Sequence, residues 1–329
     1  MKIAIDAMGG DHAPAEIVKG TVEALSEVAA TLVLIGDEEK IKAELSKYTY
    51  ESSRIEIHHT TEVVENCDKP VSAIRTKPDS SMVVGLKEVR HGNYDGFISA
   101  GNTGALLAGG AMKVGRIKGI ERPALGTALP TMSGFTVLLD SGANAECKAR
   151  NLREFAIMGS LYSQLILGVD HPEVRLVNVG EEETKGTPVI QEAYQILKEE
   201  KSLNFGGNIE GRDIFAGTTD VIICDGFTGN VILKLLEGMA KGFGDLLKDI
   251  FTASPKNMLA AALVKKDLDG FKKKMDYKEY GGAPLLGVNG NVVKAHGSSD
   301  ARAIKNAIRY AAKFAEADLV QKISDAIKE

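Results

Sequence analysis

The chain has 329 residues, 44% hydrophobic and 26% charged, with a net charge of −5. That length supports a sizeable core in one large α/β unit or two lobes, and the acidic balance excludes bulk nucleic-acid binding. Cys67, Cys147 and Cys224 are far apart, with neither a disulfide framework nor metal-ligand spacing, which fits a reducing cytosol.

Short apolar runs alternate with helical patterns along the chain. Strands are predicted at 2–6, 31–35, 54–58, 96–99, 124–129, 135–140, 173–178 and 220–224, and helices at 16–28, 38–47, 80–90, 104–114, 148–167, 189–199, 231–247 and 300–328. This alternation implies an α/β fold, a three-layer α/β/α unit with a largely parallel sheet. Ligands then sit beyond the carboxyl ends of the strands. Residues 2–6 read as a strand rather than a signal peptide, and no apolar run approaches the length of a bilayer span.

The first strand ends in Asp6-Ala7-Met8-Gly9-Gly10-Asp11-His12. Gly9 and Gly10 permit close backbone approach to a ligand, and Asp11 or His12 could cap the helix beginning near Pro14. Next, Ser99-Ala100-Gly101-Asn102-Thr103-Gly104 leads into a helix without the Gly-Lys-Ser/Thr of a phosphate loop or the dinucleotide fingerprint. An anion nest remains as its reading. Asp140, Ser141 and Asn144 stand at the end of the strand at 135–140 and could point into the same cleft, or Asp140 could serve as a cap or turn residue. Lys185 follows three glutamates in the loop from 178 to 186. Asn208 lies in a polar, Gly-rich run from 204 to 213.

The most informative stretch is Cys224-Asp225-Gly226-Phe227-Thr228-Gly229-Asn230-Val231. It reads as a strand, a tight turn and a helix N-terminus, an arrangement that suits an anion. The segment 251–280 departs from the α/β pattern. Val264, Leu268, Phe271 and Met275 recur at helical spacing with lysines between them, as in an amphipathic, basic helical excursion. It packs either on its own chain or a second subunit, or on an anionic membrane or acidic protein. Finally, Val292-Val293-Lys294-Ala295-His296-Gly297-Ser298-Ser299 repeats the strand-to-turn pattern and offers His296 for proton transfer.

Taken together, these motifs resemble the bacterial phosphate acyltransferase family of phospholipid synthesis. The match runs from Ile5-Asp6-Ala7-Met8-Gly9-Gly10-Asp11 through the turns at 99–104, 208–213 and 224–230 to Ala295-His296-Gly297-Ser298-Ser299. The resemblance implies a fold similar to isocitrate dehydrogenases and phosphotransacetylases, with a projecting helical segment. It also implies a single catalytic unit over 1–329, assembled as a homodimer, that makes acyl phosphate from acyl-acyl-carrier protein and inorganic phosphate. The product would pass to a glycerol-3-phosphate acyltransferase, and the enzyme would be cytoplasmic with loose association to the inner membrane face. No cofactor or metal is expected.

On that reading Gly9, Gly10, Gly101, Gly226 and Gly229 would cradle phosphate, with Lys185 adding charge. His296 or Asp225 would take the phosphate proton, and Asn102, Asn208 or Asn230 would donate to the oxyanion. Asp11, His12, Ser99, Thr103, Asn144, Thr228 and Ser298 complete the predicted site. Leu259, Leu263, Val264, Lys265, Lys266, Phe271 and Lys272 would meet membrane or carrier protein. Lys113, Arg116, Lys118 and Arg122 form a second basic patch for an acidic carrier. The competing readings are a phosphotransacetylase using acyl-coenzyme A, a nicotinamide-dependent hydroxy-acid dehydrogenase, and a non-catalytic membrane-recruited scaffold.

Overall fold

The computed structural model describes residues 1–268, 270 and 281–328. Among them eleven strands form one sheet: β1 (Lys2–Asp6), β2 (Thr31–Gly36), β3 (Ile55–His59), β4 (Gly96–Ser99), β5 (Ala124–Thr131), β6 (Gly134–Leu139), β7 (Glu173–Asn178), β8 (Asn204–Glu210), β9 (Val221–Ile223), β10 (Ala283–Leu286) and β11 (Val292–Lys294). Their order across the sheet is β3-β2-β1-β4-β11-β10-β5-β6-β9-β7-β8.

Parallel pairing joins β3, β2, β1, β4 and β11. A second parallel block joins β6, β9, β7 and β8. Between them β10 is antiparallel to both β11 and β5, and β5 is antiparallel to β6. The two blocks therefore run in opposite directions. Ala283 pairs with Lys294, Leu285 with Leu125, and Gly126 with Leu139. Followed along β10 and β5, this register brings the carboxyl ends of β11 and β6 to the same level in the middle of the sheet.

Side-chain alternation explains why both faces are covered. Ile3 and Ile5 pack with Ile17, Val18, Ile304 and Ile308 on one face. Ala4 joins Val83, Leu86 and Phe97 on the other. In the second block Val137 and Leu139 meet Phe155, Met158 and Tyr162, whereas Leu138 meets Ile209, Ile222 and Cys224, with Leu233 and Leu236 against them. Helices thus flank a mostly parallel sheet in three layers, as the alternation predicts.

The structure corrects several boundaries. The helix expected over 231–247 spans Gly226–Thr252, because Asp225 caps it by accepting from the Thr228 amide. Only Gly226 and Gly229 of that helix are buried. Val231, Leu235, Met239, Phe243, Leu246 and Ile250 are all exposed at spacings of three or four residues, so an apolar stripe projects from the body. The Gly-rich run after 203 forms the edge strand β8, and the Gly/Pro segment after 280 holds β10. The terminal helix is two helices, Ala301–Glu316 and Leu319–Lys328, broken where Asp318 takes a φ of 50°. Within 251–280 a helix runs over Pro255–Leu263, and Leu259, Leu263 and Val264 are exposed. Lys265 and Lys266 are exposed beyond it. Phe271 and Lys272 lie outside the described residues. No helix among the described residues is long and apolar enough to cross a membrane.

Where the long helix leaves the body, packing is tight. A Cβ on Gly229 would come within 2.0 Å of the Asp140 carbonyl oxygen. Gly229→Ala is expected to destabilise the fold by about 3 kcal/mol, read as a lower denaturant midpoint with an unchanged slope.

Candidate functional site

Two buried carboxylates organise the strand ends. Asp6 closes β1 and accepts hydrogen bonds from Ser81 Oγ at 2.6 Å, Ser99 Oγ at 2.6 Å and the Met8 amide at 3.2 Å. The Gly9 amide also donates to it. Ser99 Oγ in turn accepts from the Gly101 amide at 3.0 Å. Burial pushes the Asp6 carboxyl up, against these bonds, which pull it down. Asp140 plays the same part after β6. It accepts from the amides of Gly142 (3.1 Å), Ala143 (2.7 Å) and Asn144 (2.8 Å), and from Asn144 Nδ2 (2.8 Å). Burial raises its carboxyl as well.

These bonds reassign several residues predicted to cradle an anion. The Gly9 amide serves Asp6, and the Gly101 amide serves Ser99. The Gly226 amide donates to the Asn144 carbonyl at 2.7 Å, and the Gly229 amide to the Asp225 carbonyl at 3.0 Å inside the helix. Gly226 and Gly229 are therefore packing positions of a helix rather than turn glycines around a ligand. Gly10, at φ 106°, sits against Ala100 and Gly297 where the turns after β1, β4 and β11 meet. The Asp11 amide donates to the Gly297 carbonyl there at 2.8 Å. His12 is exposed on the same loop.

Three asparagines hold backbone. Asn102 caps the helix Thr103–Gly109, and its Nδ2 donates to the carbonyls of Glu65, Asn66 and Asp68. Asn144 Nδ2 donates to the Pro123 carbonyl at 2.8 Å as well as to Asp140. Asn208 lies on β8, near the far edge of the sheet, and donates to the carbonyls of Glu181 and Glu182. Asp225 accepts from the Thr228 amide at 2.8 Å and from Thr228 Oγ1 at 3.1 Å, so both side chains are committed to the helix cap. Lys185 is exposed in the acidic loop.

A cleft of about 240 Å³ opens where the ends of β11 and β6 come level. Of the predicted residues, Thr103, Asn230 and His296 line it. Ser298 lies behind His296, with its Oγ 2.9 Å from Nδ1 and its amide donating to Nδ1 at 3.2 Å. In the neutral ring that bond assigns the proton to Nε2. Partial burial lowers the His296 pKa, which favours the neutral ring near pH 7.

Ser141, read from sequence as able to point into a cleft, does line it, and the other lining residues were not assigned to the site from sequence. Ser141 Oγ lies 2.7 Å from Thr127 Oγ1, and both face the cleft. Lys234 and Glu237 enter from the long helix, and Lys294 from the end of β11. Leu125, Ala128, Leu233 and Ala283 add apolar side chains to the lining. The signal that could have found Lys294 is a charged residue closing the apolar run Val292-Val293. The signal for Lys234 and Glu237 is their helical spacing from Asn230.

A family model described as a fatty acid synthesis protein matches residues 1–322. The chain is 55% identical to the phosphate acyltransferase of Alkaliphilus oremlandii, over 99% of this chain and 97% of the relative. It is 52% identical to the phosphate acyltransferase of Clostridioides difficile, over 100% of this chain and 97% of the relative. Among solved structures it is similar to a phosphotransacetylase from Streptococcus pyogenes, with a TM-score of 0.65 at 17% identity, covering 96% of this chain and 94% of that one. The structural likeness extends to the fold alone.

Removing the Asp140 carboxylate would strand several buried donors at once. Asp140→Ala should cost about 3 kcal/mol or more, measured by denaturant unfolding. Asp140→Asn keeps acceptor capacity in one oxygen and should lose less.

Proposed function

This chain belongs to the phosphate acyltransferase family, and from that premise we propose that it transfers a fatty acyl group from acyl-acyl-carrier protein to inorganic phosphate. The thioester C–S bond breaks, a C–O bond to phosphate forms, and the phosphate proton ends on the carrier thiol. The observation that carries this reading is the mixed lining of the cleft. Apolar Leu125, Ala128, Leu233 and Ala283 line it together with polar Ser141, Asn230 and His296. An acyl thioester likewise joins an apolar chain to a polar reacting carbonyl.

A thiolate leaves readily, so the reaction needs orientation and oxyanion stabilisation more than a strong acid. His296, with its proton on Nε2, and Asn230 donate to the carbonyl oxygen as it gains charge. Asp225, committed to the helix cap, is not needed as a base because phosphate near neutral pH is already an anion. Lys185, exposed beyond the lining, adds attraction for anionic substrates.

The same reading includes a second copy of the chain over the apolar stripe of the long helix. It also includes an anionic membrane surface or carrier protein at Leu259, Leu263, Val264, Lys265 and Lys266. Acyl phosphate is an activated acyl donor and would feed a glycerol-3-phosphate acyltransferase. A cytoplasmic enzyme loosely held at the inner membrane face suits that hand-over.

The test is a pair of incubations with phosphate, one holding palmitoyl-acyl-carrier protein and the other palmitoyl-coenzyme A. Acyl phosphate is trapped with hydroxylamine and the freed thiol is followed. Phosphate-dependent product from the carrier protein is expected. Product from coenzyme A alone would move the assignment to a phosphotransacetylase, and product from neither would overturn the reading. In the same assay His296→Ala should lower kcat by roughly 10²–10³-fold, the usual loss for an oxyanion donor. Turnover close to that of the unaltered enzyme would remove His296 from that role.

A further inference from the structure

Lys294 is a cation inside the cleft with almost nothing to answer it. It is 8% exposed and lines the cavity. Among the described residues its Nζ makes one hydrogen bond, to the carbonyl of Ala295. An ammonium group carries three donors, so two are without a hydrogen-bond partner among the described residues. Asp6 and Asp11 attract it from the end of β1 without forming an ion pair with it. The Asp6 carboxylate is already engaged by two serine hydroxyls and the turn amides. The other charged or titratable groups at the cleft are His296, next to it on the β11 turn, and Lys234 and Glu237 from the long helix. A buried charge with so few partners is costly unless a ligand completes it.

We propose that Lys294 is the residue that receives inorganic phosphate, its two open donors taking phosphate oxygens within the cleft. The inference rests on the acyl-transfer reading for the identity of the anion. Burial pulls Lys294 down to about 8, so near pH 7 it is mostly protonated and above pH 8 it loses its charge. An arriving anion favours the protonated form. Phosphate binding above pH 8 should therefore take up protons, and the KM for phosphate should rise as pH passes 8.

The same shift has a sign for stability. The folded-state value lies below the ordinary lysine value of 10.5. Charged Lys294 therefore weakens the fold at neutral pH, and that penalty fades as pH rises through the window from about 8 to 10.5. An apolar replacement should make the protein more stable and a poorer phosphate binder, a pair of effects that a purely structural lysine would not show.

The experiment uses the full chain as wild type, Lys294→Met, Lys294→Gln and Lys294→Arg. Inorganic phosphate is titrated calorimetrically at pH 8.5 in buffers of different ionisation enthalpy, and the KM for phosphate is followed from pH 7 to 9.5. Lys294→Met should raise that KM roughly 10–100-fold at pH 7, as expected for a lost hydrogen bond to a charged group, with a smaller change in kcat. It should abolish the linked proton uptake and raise Tm by several degrees. Lys294→Arg should keep most of the affinity and flatten the rise in KM above pH 8. Lys294→Gln serves as the second neutral variant should the methionine fail to fold. A neutral variant that folds, turns over and keeps the wild-type KM and pH profile overturns the assignment of Lys294 and leaves acyl transfer intact. A wild-type protein that neither binds phosphate nor turns over overturns both.

Discussion

Two carboxylates buried at strand ends set the conditions for everything above them. Asp6 and Asp140 are each nearly or wholly removed from solvent. A carboxyl group in such a place must be given donors, or the fold bears a desolvation cost of several kcal/mol. Each collects them from the chain that immediately follows it, and Asp6 adds Ser81 and Ser99 from neighbouring elements. The turns after β1, β4 and β6 therefore take their shapes from internal anions. Because the parallel blocks run in opposite directions and their ends come level across β10 and β5, the two organised ends meet instead of lying on opposite edges of the sheet.

That arrangement leaves side chains of the turns, rather than their amides, facing the cleft. Turn amides that look ready for phosphate are already bound, and the groups left facing the cleft stand just beyond them. Ser141 follows Asp140. Thr103 follows the capping Asn102. Asn230 follows Gly229, whose own hydrogen is spent within the helix. The rigidity of each turn is what holds these side chains in place, a supporting role for which glycine and capping residues suit well.

Much of the fold was legible because burial on both faces leaves unbroken apolar runs, as at 32–35 and 221–223, and those runs mark central strands. β8 and β10 were not legible. Asn204-Phe205-Gly206-Gly207 carries no apolar alternation, and its pairing comes from β7 beside it. Pro284 and Leu285 have too few neighbours of their own kind to announce a strand, yet β10 is the element that reverses the sheet. The site divides in the same way. His296, Asn230 and Thr103 could be found because they stand at strand-to-helix junctions. Asn208 could not be told from a ligand-binding amide, since its work is to hold the carbonyls of Glu181 and Glu182. Lys294 was read as the end of a strand, and only the register of β11 against β4 and β10 turns it into a wall of the cleft.

The long helix Gly226–Thr252 ties the cleft to the outside of the molecule. Its first turns supply Asn230, Leu233, Lys234 and Glu237 to the lining, while Leu233 and Leu236 seal the small core beneath β6 and β9. The same helix then carries an exposed apolar stripe through Leu246 and Ile250. One helix thus forms part of the cleft lining and carries an exposed apolar surface that water does not favour. Gly229 sits close against the Asp140 carbonyl where the helix leaves the body. A helix anchored by glycine contact at one end and left apolar along its length joins the internal carboxylate of the second block to the outer surface through a single continuous backbone.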